Sequence, residues 1–239
     1  VLGSTPSGAT FSWTASLHSG SVSGFSNSTG GTIAQTLTGN GVVKYTVTAT
    51  LDGCPSAPIE ILKTVKPMPV VTPATPAAIC SGTQTNIVLG STPSGATFNW
   101  TASLHSGSVS GFSNSSGSTI AQTLSGNGVV KYTVTATLDG CPSAPVVILQ
   151  TVKPTPVVTP ASPAAICSGA QTNIVLGSTP SGATFSWTAS LQSGSVSGFS
   201  NSSGGTIAQT LTGNGVVKYT VIATLDGCPS APVEILQTV

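Results

Sequence analysis

The sequence repeats itself with a period of 87 residues. The phrase VLGSTPSGATF is written at Val1, at Val88 and at Val175. Residues 1–65 and 88–152 differ at seven positions only: Ser12/Asn99, Thr29/Ser116, Gly31/Ser118, Thr38/Ser125, Ile59/Val146, Glu60/Val147 and Lys63/Gln150. A period of this length exceeds the units of roughly 20–50 residues that build solenoids. It suits a small module that closes its own core. Three consecutive modules are expected: 1–66, a partial repeat lacking its first strand, and 67–153 and 154–239, both complete. Since Val1 falls inside a module, the sequence reads as a cut from a longer array.

Within one period, residues 67–153, the apolar residues follow a two-residue rhythm. In ATFNWTAS, Phe98 and Trp100 share one face and Thr97, Asn99 and Thr101 the other. In VKYTVTATL, Tyr132, Val134, Ala136 and Leu138 point inward, while Lys131, Thr133, Thr135 and Thr137 point outward. APVVILQTV is the last strand, with Glu60, Val147 and Glu234 at its outward position. PMPVVTPATPAA is punctuated by proline and reads as an edge strand plus linker. TQTNIVLGS is a strand that runs into the turn STPSG. SGSVSGFSNSSGS reads as a Ser/Gly loop holding at most one weak strand, TIAQTL as a strand, and SGNG and DGCPS as turns. No window carries a 3.6-residue apolar period. About seven short strands per module, with a Trp in the third and a Tyr in the penultimate one, predict an all-β class of tandem immunoglobulin-type β-sandwiches.

Composition then removes several functions. Six lysines, no arginine and five acidic residues give a net charge of +1. The lysines stand singly, so no cationic patch exists to neutralise nucleic-acid phosphates. No stretch of 18 apolar residues exists to span a membrane. Each period holds one or two acidic residues, so no carboxylate pair for acid–base catalysis forms from sequence neighbours. His18 and His105 are replaced by Gln192 in the third copy and are expected on a solvated loop. No GxSxG elbow occurs. Aspartate is too sparse for calcium-stiffened arrays. Neither a catalytic residue, nor a cofactor, nor a metal ligand is expected.

The five cysteines are Cys54, Cys80, Cys141, Cys167 and Cys228, with gaps of 26, 61, 26 and 61 residues. Each full period holds one in AAICSG and one in LDGCPSAP. Pairing within modules, Cys80–Cys141 and Cys167–Cys228, is preferred, with the partner of Cys54 outside the chain. Such a bridge contributes roughly 4 kcal/mol in the chain-entropy account and fits an oxidising, extracellular setting. In a sandwich, however, Cys80 and Cys141 fall toward opposite ends, and a bridge needs Cα atoms within about 7 Å. A bridge between neighbouring modules, or between chains, therefore stands as the alternative. CxxC spacing is absent and no His accompanies the cysteines, which speaks against a metal site.

The order Cys80-Ser81-Gly82, Phe98-Asn99-Trp100, Thr119 to Leu124, Tyr132-Thr133-Val134 and Asp139-Gly140-Cys141 resembles the PKD-like, immunoglobulin-like tandem repeats of large surface proteins. These are the adhesin-like and gliding-associated proteins that Bacteroidota export by the type IX system. The resemblance covers every period. It departs from better-known PKD domains after the Trp, where Thr101-Ala102-Ser103 replaces an acidic, Gly-containing turn. It implies secretion, a stalk or adhesin role and no catalytic residues.

Two surface features remain. Thr46, Thr48 and Thr50, Thr133, Thr135 and Thr137, and Thr220 and Thr224 form rows with a spacing of about 6.6–7 Å, twice the strand rise. Such rows suit ice or a polysaccharide, although Thr is also a good β-former on any solvent face, and Ile222 interrupts the third row. The Ser/Gly/Asn loops, with Asn27-Ser28-Thr29 and its copies, also match the N-glycosylation pattern. The reading that follows is a non-enzymatic structural segment of a long extracellular stalk or filament. Its partners are neighbouring identical repeats or other copies of the chain in a fibre. The rival reading is a glycan- or ice-binding adhesion module.

Overall fold

Strands form where β-branched and aromatic residues alternate with threonine. The computed structural model describes residues 1–239, and strands, turns and loops account for all of them, with no helix. In the middle repeat the longest element is Thr123–Leu138, the Tyr strand. Its inward residues Val130, Tyr132, Val134 and Ala136 are completely buried. On one side it pairs antiparallel with Thr97–Ser110, the Trp strand, which sets Trp100 opposite Val134. On the other side runs Val146–Lys153, the closing strand, with Ile148 opposite Tyr132. Ile79–Cys80 then adds in parallel, Ile79 beside Val152 and Cys80 beside Lys153.

A second layer of short pairs covers this sheet. Val70–Thr72 pairs with Gly90–Thr92, Ile87–Val88 with Thr119–Ile120, and Thr83–Gln84 with the first residues of the Tyr strand. Val71, Ile87, Leu89, Ile120 and Leu124 from this layer pack on Phe98, Trp100, Tyr132, Val134 and Ile148 of the main sheet, forming one core cluster. Fully burying one such side chain contributes about 1.5–3 kcal/mol. The last repeat has the same core and the same strand register. These are repeated all-β sandwich modules, the class the alternation predicts.

Two expectations about loops need correction. SGSVS and SGNG lie inside strands, because the Trp strand continues to Ser110 and pairs through Gly107↔Gly128. The backbones touch at that point. A Cβ on Gly107 (φ +74) would sit 2.3 Å from the Asn127 carbonyl oxygen and 2.7 Å from the Gly128 Cα. Glycine composition there marks close strand approach rather than a loop. His105 is the bulged residue between Leu104 and Ser106 in this strand, so it stands exposed on a strand and not on a loop. The Asp139-Gly140 turn is as expected: φ values of 50° and 84° join Leu138 to Cys141 in a two-residue hairpin of the primed type.

Side chains tie the remaining loop to the core. The Tyr132 hydroxyl donates to Gln122 Oε1 (2.9 Å), and Gln122 Nε2 donates to the Ser113 carbonyl (2.7 Å). Asn114 Oδ1 accepts from the Ala102 amide at 2.8 Å. Both arrangements recur in the other two repeats. The indole N–H groups of Trp13, Trp100 and Trp187 are buried without an acceptor, and nothing in the structure explains this.

Candidate functional site

Where successive repeats meet, the turn of one module reaches the start of its neighbour. Cys80 of the middle repeat forms a disulfide with Cys228 of the last, with a Cα–Cα distance of 5.5 Å across 148 residues. Beside it, Lys153 donates from Nζ to the Asp226 carbonyl oxygen at 2.9 Å. The first joint is built the same way, with Lys66 Nζ donating to the Asp139 carbonyl oxygen at 2.9 Å. Neither intramodular pair, Cys80–Cys141 or Cys167–Cys228, forms. Cys80 stands at the end of its sheet next to Lys153, and Lys153 leads directly to the following repeat. The Cys-bearing turn at hand is therefore the neighbour's.

Cys54, Cys141 and Cys167 carry free thiols. The three copies of the turn cysteine differ in cover: Cys228 is buried, Cys141 half-buried and Cys54 exposed.

The threonine rows lie on the outer face of the main sheet. Thr133, Thr135 and Thr137 are half-buried, as are Thr46, Thr48, Thr50, Thr220 and Thr224. The structure brings a second row against each. Thr101, Asn99 and Thr97 face Thr133, Thr135 and Thr137 across the ladder. In the first repeat Thr14, Ser12 and Thr10 face Thr46, Thr48 and Thr50. Alternation in ATFNWTAS already marked these residues as outward, but it could not show which strand lay beside them. Ile222 sits opposite Ser186 in the third copy.

Ionisable groups do not converge. No set of three or more His, Cys, Asp or Glu comes together. Lys44–Glu60 and Lys218–Glu234 pair at 2.9 and 3.0 Å on the surface, and exposed pairs of this kind contribute little. Burial pushes the Tyr132 and Tyr219 hydroxyls up to about 12 and raises Tyr45 as well. These phenols serve the core, where each donates to a glutamine.

The match to a domain family supports the same architecture. The profile of the PKD-like domain matches residues 3–69, 77–156 and 164–239. No curated protein matches the sequence. Among solved structures, the insect immune protein hemolin aligns over 97% of this chain and 68% of its own at 14% identity and a TM-score of 0.37. Domains A168–A170 of titin align over 95% and 87% at 13% identity and a TM-score of 0.35. Domains FN1–FN3 of chicken CNTN1 align over 97% and 89% at 8% identity and a TM-score of 0.28. The three profile matches take in nearly the whole chain, which belongs to the PKD-like domain family.

Proposed function

We propose that this chain is a non-enzymatic structural segment of a long extracellular surface protein, a stalk or filament whose modules are covalently stitched to their neighbours. The observation that carries this reading is the Cys80–Cys228 bridge between successive repeats. A bridge inside one module stabilises that module alone. One that crosses a joint limits bending and passes tension from module to module. The repeated lysine–carbonyl contact at both joints supports a joint of fixed geometry. Disulfides persist in oxidising compartments, in keeping with export, and the resemblance to repeats exported by the type IX system of Bacteroidota points the same way. In this reading the module boundaries are 1–66, 67–153 and 154–239. Small-angle scattering on the oxidised and reduced chain tests it: a rod of constant length when oxidised and a broadened, shorter ensemble after reduction are expected. Identical profiles would count against it.

The paired Thr/Ser rows favour a second reading, a glycan- or ice-binding adhesion module with the repeats acting as a multivalent surface. Glycan arrays and ice-affinity partitioning decide between them. Retention that is lost on Thr133→Lys and Thr135→Lys supports binding. No retention leaves the stalk.

A further inference from the structure

The three copies of the closing strand differ at one outward position. The first and last repeats carry Glu60 and Glu234 there, paired with Lys44 and Lys218 of the Tyr strand at 2.9 and 3.0 Å. The middle repeat carries Val147. Val147 is 54% exposed and its outward neighbour Leu149 is 44% exposed. Lys131, opposite Leu149, has no carboxylate partner. The run VVILQTV, residues 146–152, thus holds neither a charge nor a proline.

The same strand is an unpaired edge over most of its length. Its partner on the free side, Ile79–Cys80, reaches only Val152 and Lys153. Main-chain groups of alternate residues point to opposite sides of a strand. Those of Val152 point to the Tyr strand, since its counterpart Val239 exchanges bonds with Gly215 at 2.9 and 3.1 Å. Those of Lys153 point to the edge, where its carbonyl receives the Ser81 amide at 2.8 Å. By the same alternation the groups of Ile148 and Gln150 serve the sheet, and those of Val147, Leu149 and Thr151 face the edge. Gln150 Nε2 donates to the Thr151 carbonyl at 3.0 Å and to the Ala77 carbonyl at 2.8 Å, which bounds the edge at that end. The amides and carbonyls of Val147 and Leu149 have no partner within the chain. An exposed edge with β-forming side chains and no charge is a template for another strand. A charged residue beside such a strand is the usual guard against it.

The geometry points to this edge as the docking site for a second copy of the chain, strand against equivalent strand, antiparallel across a two-fold axis at Ile148. An isologous contact needs a patch that is its own complement, and this edge is one. With the axis at Ile148, Val147 of each copy lies opposite Leu149 of the other. Facing residues of this type exchange both N–H···O bonds, so every unpartnered group on the edge is satisfied. The outward side chains meet as Val–Leu contacts. Charge confines the docking to the middle repeat. In the same register the two copies of Glu234 would stand about 8 Å apart, one strand spacing across and two residues along, within a Debye length of each other. The two copies of Lys131 stand three strand spacings across, about 16 Å apart, and are screened. Glu60 guards the first repeat as Glu234 guards the last. This lateral contact goes beyond the stalk reading and does not depend on the Cys80–Cys228 bond, which lies at the other end of the strand.

The test uses the full chain with Cys54, Cys141 and Cys167 replaced by serine, so that oxidation of free thiols cannot link chains. The contact is short, so sedimentation is followed from about 10 μM to 1 mM, the range of weak associations. A reversible monomer–dimer equilibrium is expected. Val147→Glu installs the residue that the other two repeats already carry in the same fold, and it should weaken the dimer at least tenfold. Glu234→Val should open a second edge and give species larger than a dimer. Hydrogen exchange, read residue by residue, should slow at least tenfold at the Val147 and Leu149 amides as the dimer forms. Packing through the outer sheet faces would leave those amides exchanging freely. A chain that stays monomeric at the highest concentration would overturn the proposal. So would a dimer that survives Val147→Glu, edge amides that stay fast within the dimer, or a Glu234→Val chain that stops at dimers. None of these outcomes bears on the bond between repeats, which scattering tests separately.

Discussion

Lys153 Nζ lies 2.9 Å from the carbonyl oxygen of Asp226, across the joint between the middle and last repeats. The Cys80–Cys228 bond closes the same joint. Lys153→Ala should therefore change little while the bond is intact. After reduction it should widen the distribution of inter-repeat distances, because a contact to a charged donor near the surface contributes only about 1 kcal/mol. Single-molecule energy transfer between dyes on the two repeats, with and without reductant, measures this.

Asp139 holds a left-handed conformation, φ 50°, with Gly140 at φ 84° in the hairpin turn. Asp139→Gly or Asp139→Asn should leave stability nearly unchanged. Asp139→Val should cost about 1–2 kcal/mol, the price of placing a β-branched residue in that region. Urea unfolding of the variants provides the measurement. Since the Asp139 carbonyl also receives Lys66, the Gly variant keeps the joint while testing the turn.

Tyr132 and Tyr219 are held up to about 12 by burial. Their neutral hydroxyls donate to Gln122 and Gln209. A tyrosine in the unfolded chain titrates near 10. The raised folded values mean that the native state holds these protons more tightly. Stability from this source is complete below pH 10 and falls as pH rises from about 10 to 12. Tyr132→Phe combined with Tyr219→Phe should flatten that decline, at a cost of about 1 kcal/mol per lost hydrogen bond at neutral pH. Melting temperatures from pH 8 to pH 12 on both proteins give the answer.

The strand pattern was legible because burial alternates on a sheet. Phe98, Trp100, Tyr132, Val134, Ala136 and Leu138 could be placed inward from spacing alone; the first five are buried, and Leu138, at the strand end beside the hairpin turn, is half-buried. The Ser/Gly run 106–110 was misread because loops and closely approaching strands share a composition. Only the partner Gly128 shows which one Gly107 serves. The disulfide partner was illegible for a different reason. In a near-identical repeat, separations of 61 and of 148 residues differ by one period, so spacing cannot distinguish a module's own turn from its neighbour's. Choosing between them takes the position of Cys80 beside Lys153 at the exit of the sheet.

The central claim is a bond that crosses a joint, and pulling the chain by its two ends tests it most directly. Tension applied at Val1 and Val239 should pass from Cys80 to Cys228 and leave the 148-residue loop between them unextended. Reduction should then lengthen the fully extended chain by about 500 Å, at roughly 3.3–3.6 Å per residue. An extended length that is the same with and without reductant would contradict the account. So would a gain in two separate steps of about 200 Å each, the sign of 61-residue loops closed inside the two complete modules.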